Sequence, residues 1–263
     1  MALPWAFTVT FTASKKGEKS QIATITLNVE AAPDWAVGTF AGWVRRDPAF
    51  AEAMAGTEDN APYQGSATMT VAANGKISGK VLESGKTWAL SANASDAVEG
   101  PKSGAEGPTF FATVIGKTGK NVVTNDVTVA SENGIGVASS LIPHPSSPSW
   151  AAWQNLWKRA DTKSAMPIFM KNFDVTLELG EAGDANNTVK LTFKKDGVVA
   201  FAGKVGGASV SGTSQLVWGE NGWQVTLYAP PKGAFAGFCE TISVTMPTDD
   251  NNVVLSVAVE QEP

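Results

Sequence analysis

The chain contains a single cysteine and a single histidine, which limits the disulfides and the metal sites that it can form. Cys239 has no partner for an internal disulfide, so the fold must be stable through packing alone. His144 lies between two prolines and has neither a second histidine nor a neighbouring cysteine with which to build a typical zinc site. The sequence therefore predicts no metal, no cofactor and no assembled catalytic set.

Charged residues are also few, at 17% of the chain, and the net charge is −5 at pH 7. Without a cluster of lysine and arginine, the chain lacks the attraction that dominates nucleic-acid binding. We expect neither nucleic acid nor an anionic membrane as a partner. No apolar stretch approaches the ~20 residues needed to span a bilayer, so we expect no membrane insertion. The first residues do not resemble a signal peptide, and an exported form would carry its signal upstream of Met1.

What the chain does contain is a hairpin pattern that occurs twice. Residues 68–81 have Asn74-Gly75 between two alternating runs, and residues 190–205 have Asp196-Gly197 in the same place. Both dipeptides favour the type I′ turn of a two-residue hairpin. The second copy has two extra residues before its Gly-Lys-Val, and an even insertion keeps later side chains on their original face. The pattern predicts an internal duplication.

Alternation of apolar and polar residues recurs along most of the chain at short intervals, with turn residues between the runs. Such spacing predicts an all-β fold, an internally duplicated antiparallel barrel or barrel-like sandwich. We place this domain at residues 36–263, with halves at about 36–145 and 165–263. Residues 1–32 form a separate terminal hairpin that ends where proline breaks the second strand.

Two segments depart from this alternation. Asp47-Pro48 and the residues up to Met54 have an N-cap, a first-turn proline and good helix formers, which predict one or two helical turns. Residues 149–159 carry three tryptophans at i, i+3 and i+7, which predicts a short helix with a tryptophan face between the two halves.

Nine tryptophans are many for a chain of this size. An exposed ring offers a flat apolar face on which a sugar can stack, whereas a buried ring fills a core. Trp223 lies in an alternating strand and is expected to pack inward. Both interpretations stay open for the candidate ligand-binding residues, which are Trp150, Trp153, Trp157, Trp43 and Trp218.

Part of the chain resembles a known kind of bacterial module. Residues 8–31 look like the last two strands of an Ig-like surface domain, and the segments 37–43, 65–81 and 85–88 are similar to an uncharacterised β-rich module. Such modules lie near the C-termini of large exported or cell-surface bacterial proteins, after arrays of Ig-like repeats. The resemblance covers residues 5–92 and implies an extracellular or cell-surface location. It implies no catalytic residues.

These observations predict a non-enzymatic surface module that binds or displays, with a glycan or a neighbouring surface protein as its partner. Two alternatives stay open. A barrel that encloses a small apolar ligand would have a continuous lumen lined by apolar side chains. A carbohydrate-active enzyme would have a cleft with two carboxylates, one of them buried beside an aromatic ring with a raised pKa.

Overall fold

Every regular element in the computed structural model is a β-strand, which confirms the all-β prediction for the residues that it describes. These are residues 5–13, 20–29, 32, 34–45, 63–83, 85–92, 97–100, 109–132, 135–140, 149–159, 161–163, 166, 173–194, 196–220, 222–245 and 256–259. The helical turns predicted at 47–54 and His144 lie outside them. In chain order the strands are β1 (Trp5–Ala13), β2 (Gln21–Val29), β3 (Gly38–Arg45), β4 (Tyr63–Val71), β5 (Ile77–Glu83), β6 (Lys86–Ala92), β7 (Ala97–Gly100), β8 (Thr109–Thr118), β9 (Asn121–Glu132), β10 (Ile135–Ser140), β11 (Ser149–Gln154), β12 (Phe173–Glu178), β13 (Thr188–Phe193), β14 (Val198–Val205), β15 (Ala208–Gln215), β16 (Val217–Gly219), β17 (Gly222–Ala229), β18 (Phe238–Thr245) and β19 (Ser256–Val259).

Strands β3 to β6 and β8 to β11 close into an eight-stranded antiparallel barrel, which confirms the barrel prediction for this part of the chain. β11 returns to pair with β3, and β6 pairs with β8. Closure removes the unpaired strand edges that an open sheet would expose. Side chains that point inward fill the centre, where Phe40, Met69 and Ile77 are fully buried.

Strands β12 to β19 build a second unit, a sandwich of two four-stranded sheets. One sheet has the order β12-β13-β14-β15 and the other β16-β17-β18-β19. Apolar residues from both sheets share one core, which includes Leu191, Phe193, Leu227 and Ile242. Among the described residues, β1 and β2 pair only with each other.

Both predicted hairpins are present, as β4–β5 and β13–β14, but their turns are one residue longer than the predicted type I′ loop. The Gly75 N–H donates to the Ala72 carbonyl at 2.8 Å, and the Ala72 N–H donates to the Lys76 carbonyl at 2.9 Å. Gly75 takes the positive φ, 79°, that such a three-residue loop places before the returning strand. The second copy repeats these bonds around Gly197, with φ 73°.

The internal duplication is not confirmed beyond these hairpins. The first hairpin belongs to the closed barrel and its core, and the second belongs to the sandwich and a separate core. The barrel is complete without residues 165–263, because β11 at 149–154 supplies its eighth strand. The described residues therefore do not form a single barrel that spans 36–263.

The helix predicted at 149–159 is wrong. Residues 149–154 are strand β11, and the next residues form turns. All residues of β11 after Ser149 are buried, because one face lines the barrel core and the other packs against the sandwich. A strand buried on both faces has no apolar and polar alternation, so its tryptophan spacing can imitate a helix.

Gly42 marks the close approach of β3 to β11 at the barrel wall. A Cβ placed on Gly42 would lie 2.0 Å from the Ala151 carbonyl oxygen, an atom of the neighbouring backbone that cannot move alone. In contrast, a Cβ on Gly116 would meet only ordinary contacts, the nearest 3.6 Å away.

Gly42→Ala is therefore expected to lower the free energy of unfolding by about 1–3 kcal/mol, the usual cost of forcing extra volume into a packed site. Gly116→Ala, a matched control in the same barrel, should change it by less than about 0.5 kcal/mol. Urea unfolding followed by circular dichroism measures both. Equal stability of the two variants would contradict the close β3–β11 contact.

Candidate functional site

The structure distributes four of the five candidate tryptophans over three apolar clusters and does not bring the five onto one face. Trp150 lies in the barrel core, and Trp157 lies in the sandwich core. Trp43 and Trp153 belong to a third cluster, which we call the junction cluster. These four rings are buried, whereas Trp218 is 45% exposed.

The junction cluster joins the outer wall of the barrel to the sandwich. The Trp43 ring contacts the rings of Tyr63 and Trp153, with centroids 5.8 and 5.7 Å apart. Val217 and Cys239 contribute from the sandwich side. Burial of these three aromatic rings removes apolar surface from water and so stabilises the contact between the two units. The four buried candidate tryptophans therefore pack inside the protein and are not available to a ligand at the surface.

Trp218 stands at the outer end of a row of three rings, which we call the aromatic ladder. Its ring meets Trp223 edge-on at 5.3 Å, directly across the β16–β17 pair. The Trp223 ring in turn contacts Trp157 at 5.0 Å, and Trp157 lies close against Gly197. Trp223 is half-buried and packs against the sandwich core, as its place in an alternating strand predicts. Of the tryptophans whose side chains the structure describes, only Trp218 is exposed.

A polar pocket of about 350 Å³ lies where β11 leaves the barrel. At its base the buried Gln154 carboxamide accepts hydrogen bonds from the Gly136 N–H at 3.2 Å and Arg159 Nη1 at 3.0 Å. Gln154 Nε2 donates to the Val37 carbonyl at 2.6 Å.

The outer wall of the same pocket is an ion pair. Arg159 binds both carboxylate oxygens of Asp161 at 2.6 Å, and these hydrogen bonds lower the pKa of the Asp161 carboxyl. Gln154, Arg159 and Asp161 are thus engaged with one another. The arrangement anchors the chain as it passes from the barrel to the sandwich. Sequence reasoning missed it, and its only local signal is the polar pair Gln154-Asn155 inside an apolar run.

Cys239 is not placed as a nucleophile. Its Sγ donates to the Gly65 carbonyl at 3.3 Å across the junction, and burial raises the pKa of the thiol far above its usual value. The charge of Glu240 acts in the same direction. Since the thiolate is the reactive form, the partly buried side chain is expected to behave as a small apolar group at the edge of the junction cluster.

In the part of the chain that the structure describes, no group of three or more histidine, cysteine, aspartate or glutamate side chains could hold a metal ion. No helix there has the length and apolar character needed to cross a bilayer. No known protein family, curated protein or solved structure matches this chain. The functional proposal below is therefore argued from the geometry of the described residues and from the sequence resemblance of residues 5–92.

Because Cys239 is the sole thiol, its alkylation reports opening of the contact between barrel and sandwich. We expect iodoacetamide to modify the native protein at least about 100-fold more slowly than the protein in concentrated urea, since both burial and the raised pKa suppress the thiolate. A Cys239→Ser chain that carries Thr70→Cys at an exposed site is the control and should react at the rate of a free thiol. Native modification of Cys239 at that rate would contradict the buried junction.

Proposed function

We propose that the protein is a non-enzymatic binding module of an exported or cell-surface protein, in which Trp218 stacks against a sugar ring of a glycan. The observation that carries this proposal is the exposed face of Trp218 at the end of the aromatic ladder. A flat apolar ring suits the C–H face of a pyranose, and the indole N–H can orient its hydroxyls. The resemblance of residues 5–92 to modules of exported bacterial proteins supports the extracellular location.

The packing beneath Trp218 favours binding over incidental exposure. Its neighbour Trp223 rests on Trp157, which is buried in the sandwich core, so the edge-on support of Trp218 is itself held in place. Cross-strand pairing in β16–β17 fixes the backbone on both sides of the ring. A side chain held before binding loses less conformational entropy when a ligand arrives.

The enclosed-ligand alternative receives less support from the barrel interior. Phe40, Met69 and Ile77 are fully buried there and pack with the other inward side chains into one cluster. A small apolar ligand would need that space.

The enzyme alternative meets a geometric difficulty. Burial raises the pKa of both Glu83 and Glu240, which is one property expected of a glycosidase acid. Glu240, however, pairs directly across from Leu227, on the face of β17 that looks into the sandwich core. Tyr228, whose pKa is raised mainly by burial and slightly by the charge of Glu83, lies on the opposite face. A catalytic pair needs both carboxyls in one cleft, about 5–9.5 Å apart.

Trp218→Ala should weaken binding of a recognised glycan by about thirtyfold, because truncating an aromatic anchor costs about 2 kcal/mol. Trp218→Phe keeps a flat face and should lose less. Screening on a glycan array, followed by calorimetric titration of the strongest ligand, measures the effect.

Val122→Ala is the control, since Val122 is 60% exposed on β9 of the barrel sheet, whereas Trp218 and Trp223 lie in the β16–β19 sheet. Val122→Ala should leave the glycan affinity unchanged. Trp218→Ala and Val122→Ala should both keep the wild-type melting temperature. The proposal fails if no glycan on the array binds, or if Trp218→Ala binds as tightly as the wild type.

A further inference from the structure

A second recess lies between the barrel wall and the sandwich, on the other side of the β16–β19 sheet from Trp218. It has a volume of about 250 Å³, close to the lower end of the range for small-molecule sites. Strands β3, β4 and β5 form one wall, and β14, β15 and β17 form the other. The lining residues are Ala41, Gly42, Ser66, Ala67, Thr68, Leu82, Val198, Thr213, Ser214, Gln215, Thr226 and Tyr228. We call this recess the junction cleft.

All the residues that line the junction cleft are uncharged, and its polar side chains carry hydroxyl or amide groups. Three of them are held by other bonds. Thr226 shares a hydrogen bond with the Thr241 hydroxyl at 3.1 Å, and the Tyr228 hydroxyl accepts from the Gly85 N–H at 3.0 Å. Gln215 Nε2 donates to the Asp196 carbonyl at 3.2 Å. These bonds fix the positions of the polar groups before any ligand arrives.

Three further hydroxyl-bearing residues line the cleft, Ser66 from the barrel and Thr213 and Ser214 from the sandwich, and we call them the polar rim. Leu82 and Val198 add an apolar wall. A hydroxyl both donates and accepts a hydrogen bond, so this rim matches a partner that also does both. A carboxylate or phosphate would find no cationic lining group with which to pair.

We propose that the junction cleft binds one ring of a small, neutral, polyhydroxylated ligand such as a monosaccharide. Its hydroxyls would bond to the rim from both units, and its C–H face would lie against the apolar wall. Sites of this kind occur preferentially where two structural units meet. This site is independent of the Trp218 stacking site. Trp218 contacts Trp223, which packs on the sandwich-core face of β17, whereas Thr226 and Tyr228 line the cleft from the opposite face of that strand.

The test uses the whole chain and the methyl glycosides of glucose, galactose, mannose and N-acetylglucosamine, each titrated to about 50 mM, well above a millimolar Kd. Amide shifts in ¹H–¹⁵N spectra report the site. For at least one glycoside we expect saturable shifts around Ser66, Thr213 and Tyr228. Thr213→Val and Ser66→Ala, one on each wall, should each weaken that binding by about three- to tenfold through loss of a hydrogen bond.

Thr70→Val is the control, since Thr70 lies on β4 outside the cleft and is exposed. Thr70→Val should leave the affinity measured from the cleft shifts unchanged. Trp218→Ala should also leave that affinity unchanged, which separates the cleft from the proposed stacking site. Spectra of the variants that match the wild type away from the cleft show that each remains folded. The proposal is overturned if no glycoside gives saturable shifts at the cleft, if the shifts occur only around Trp218, or if the two cleft variants bind as the wild type does.

Discussion

Burial of three tryptophans from one short segment in three different apolar clusters is the interaction on which the rest of the structure depends. Trp150 enters the barrel core, Trp153 enters the junction cluster, and Trp157 enters the sandwich core. Residues in a strand alternate between faces, so Trp150 and Trp153, three positions apart, must point to opposite sides of the barrel wall. The chain then turns at Asn155, and Trp157 reaches the second unit. Each ring buries a large apolar area, and together they tie both units to one stretch of backbone.

The same segment positions what we regard as the functional surfaces. Trp157 is the buried end of the aromatic ladder and so supports Trp218 through Trp223. The junction cluster holds β3 and β4 close to the sandwich, and the cleft between the two units exists only while that contact is closed. Gln154 and Arg159 hold the backbone between the tryptophans at the barrel mouth. A change at Trp153 should therefore alter the junction cleft, although Trp153 is not one of the residues that line it.

Local chemistry explains what could be predicted from the sequence. The loops at Asn74-Gly75 and Asp196-Gly197 depend on residues within a few positions of each other, and alternation is enough to indicate strands. The division into a closed barrel and a separate sandwich depends instead on which distant strands pair, such as β3 with β11, and neither strand carries a signal for its partner. The helix predicted at 149–159 was wrong because a strand buried on both faces loses its alternation. The Gln154 anchor depends on carbonyls more than 100 residues away in the chain, which no local pattern indicates.

The most direct test of this account is the thermal unfolding of Trp153→Ala, followed by calorimetry. If the tryptophan segment couples the units, the wild type should unfold in one cooperative transition. Removing the middle ring while leaving Trp150 and Trp157 in their own cores should divide it into two, one for the barrel and one for the sandwich. The account is contradicted if the wild type already unfolds in two independent steps, or if Trp153→Ala lowers the melting temperature of a transition that remains single.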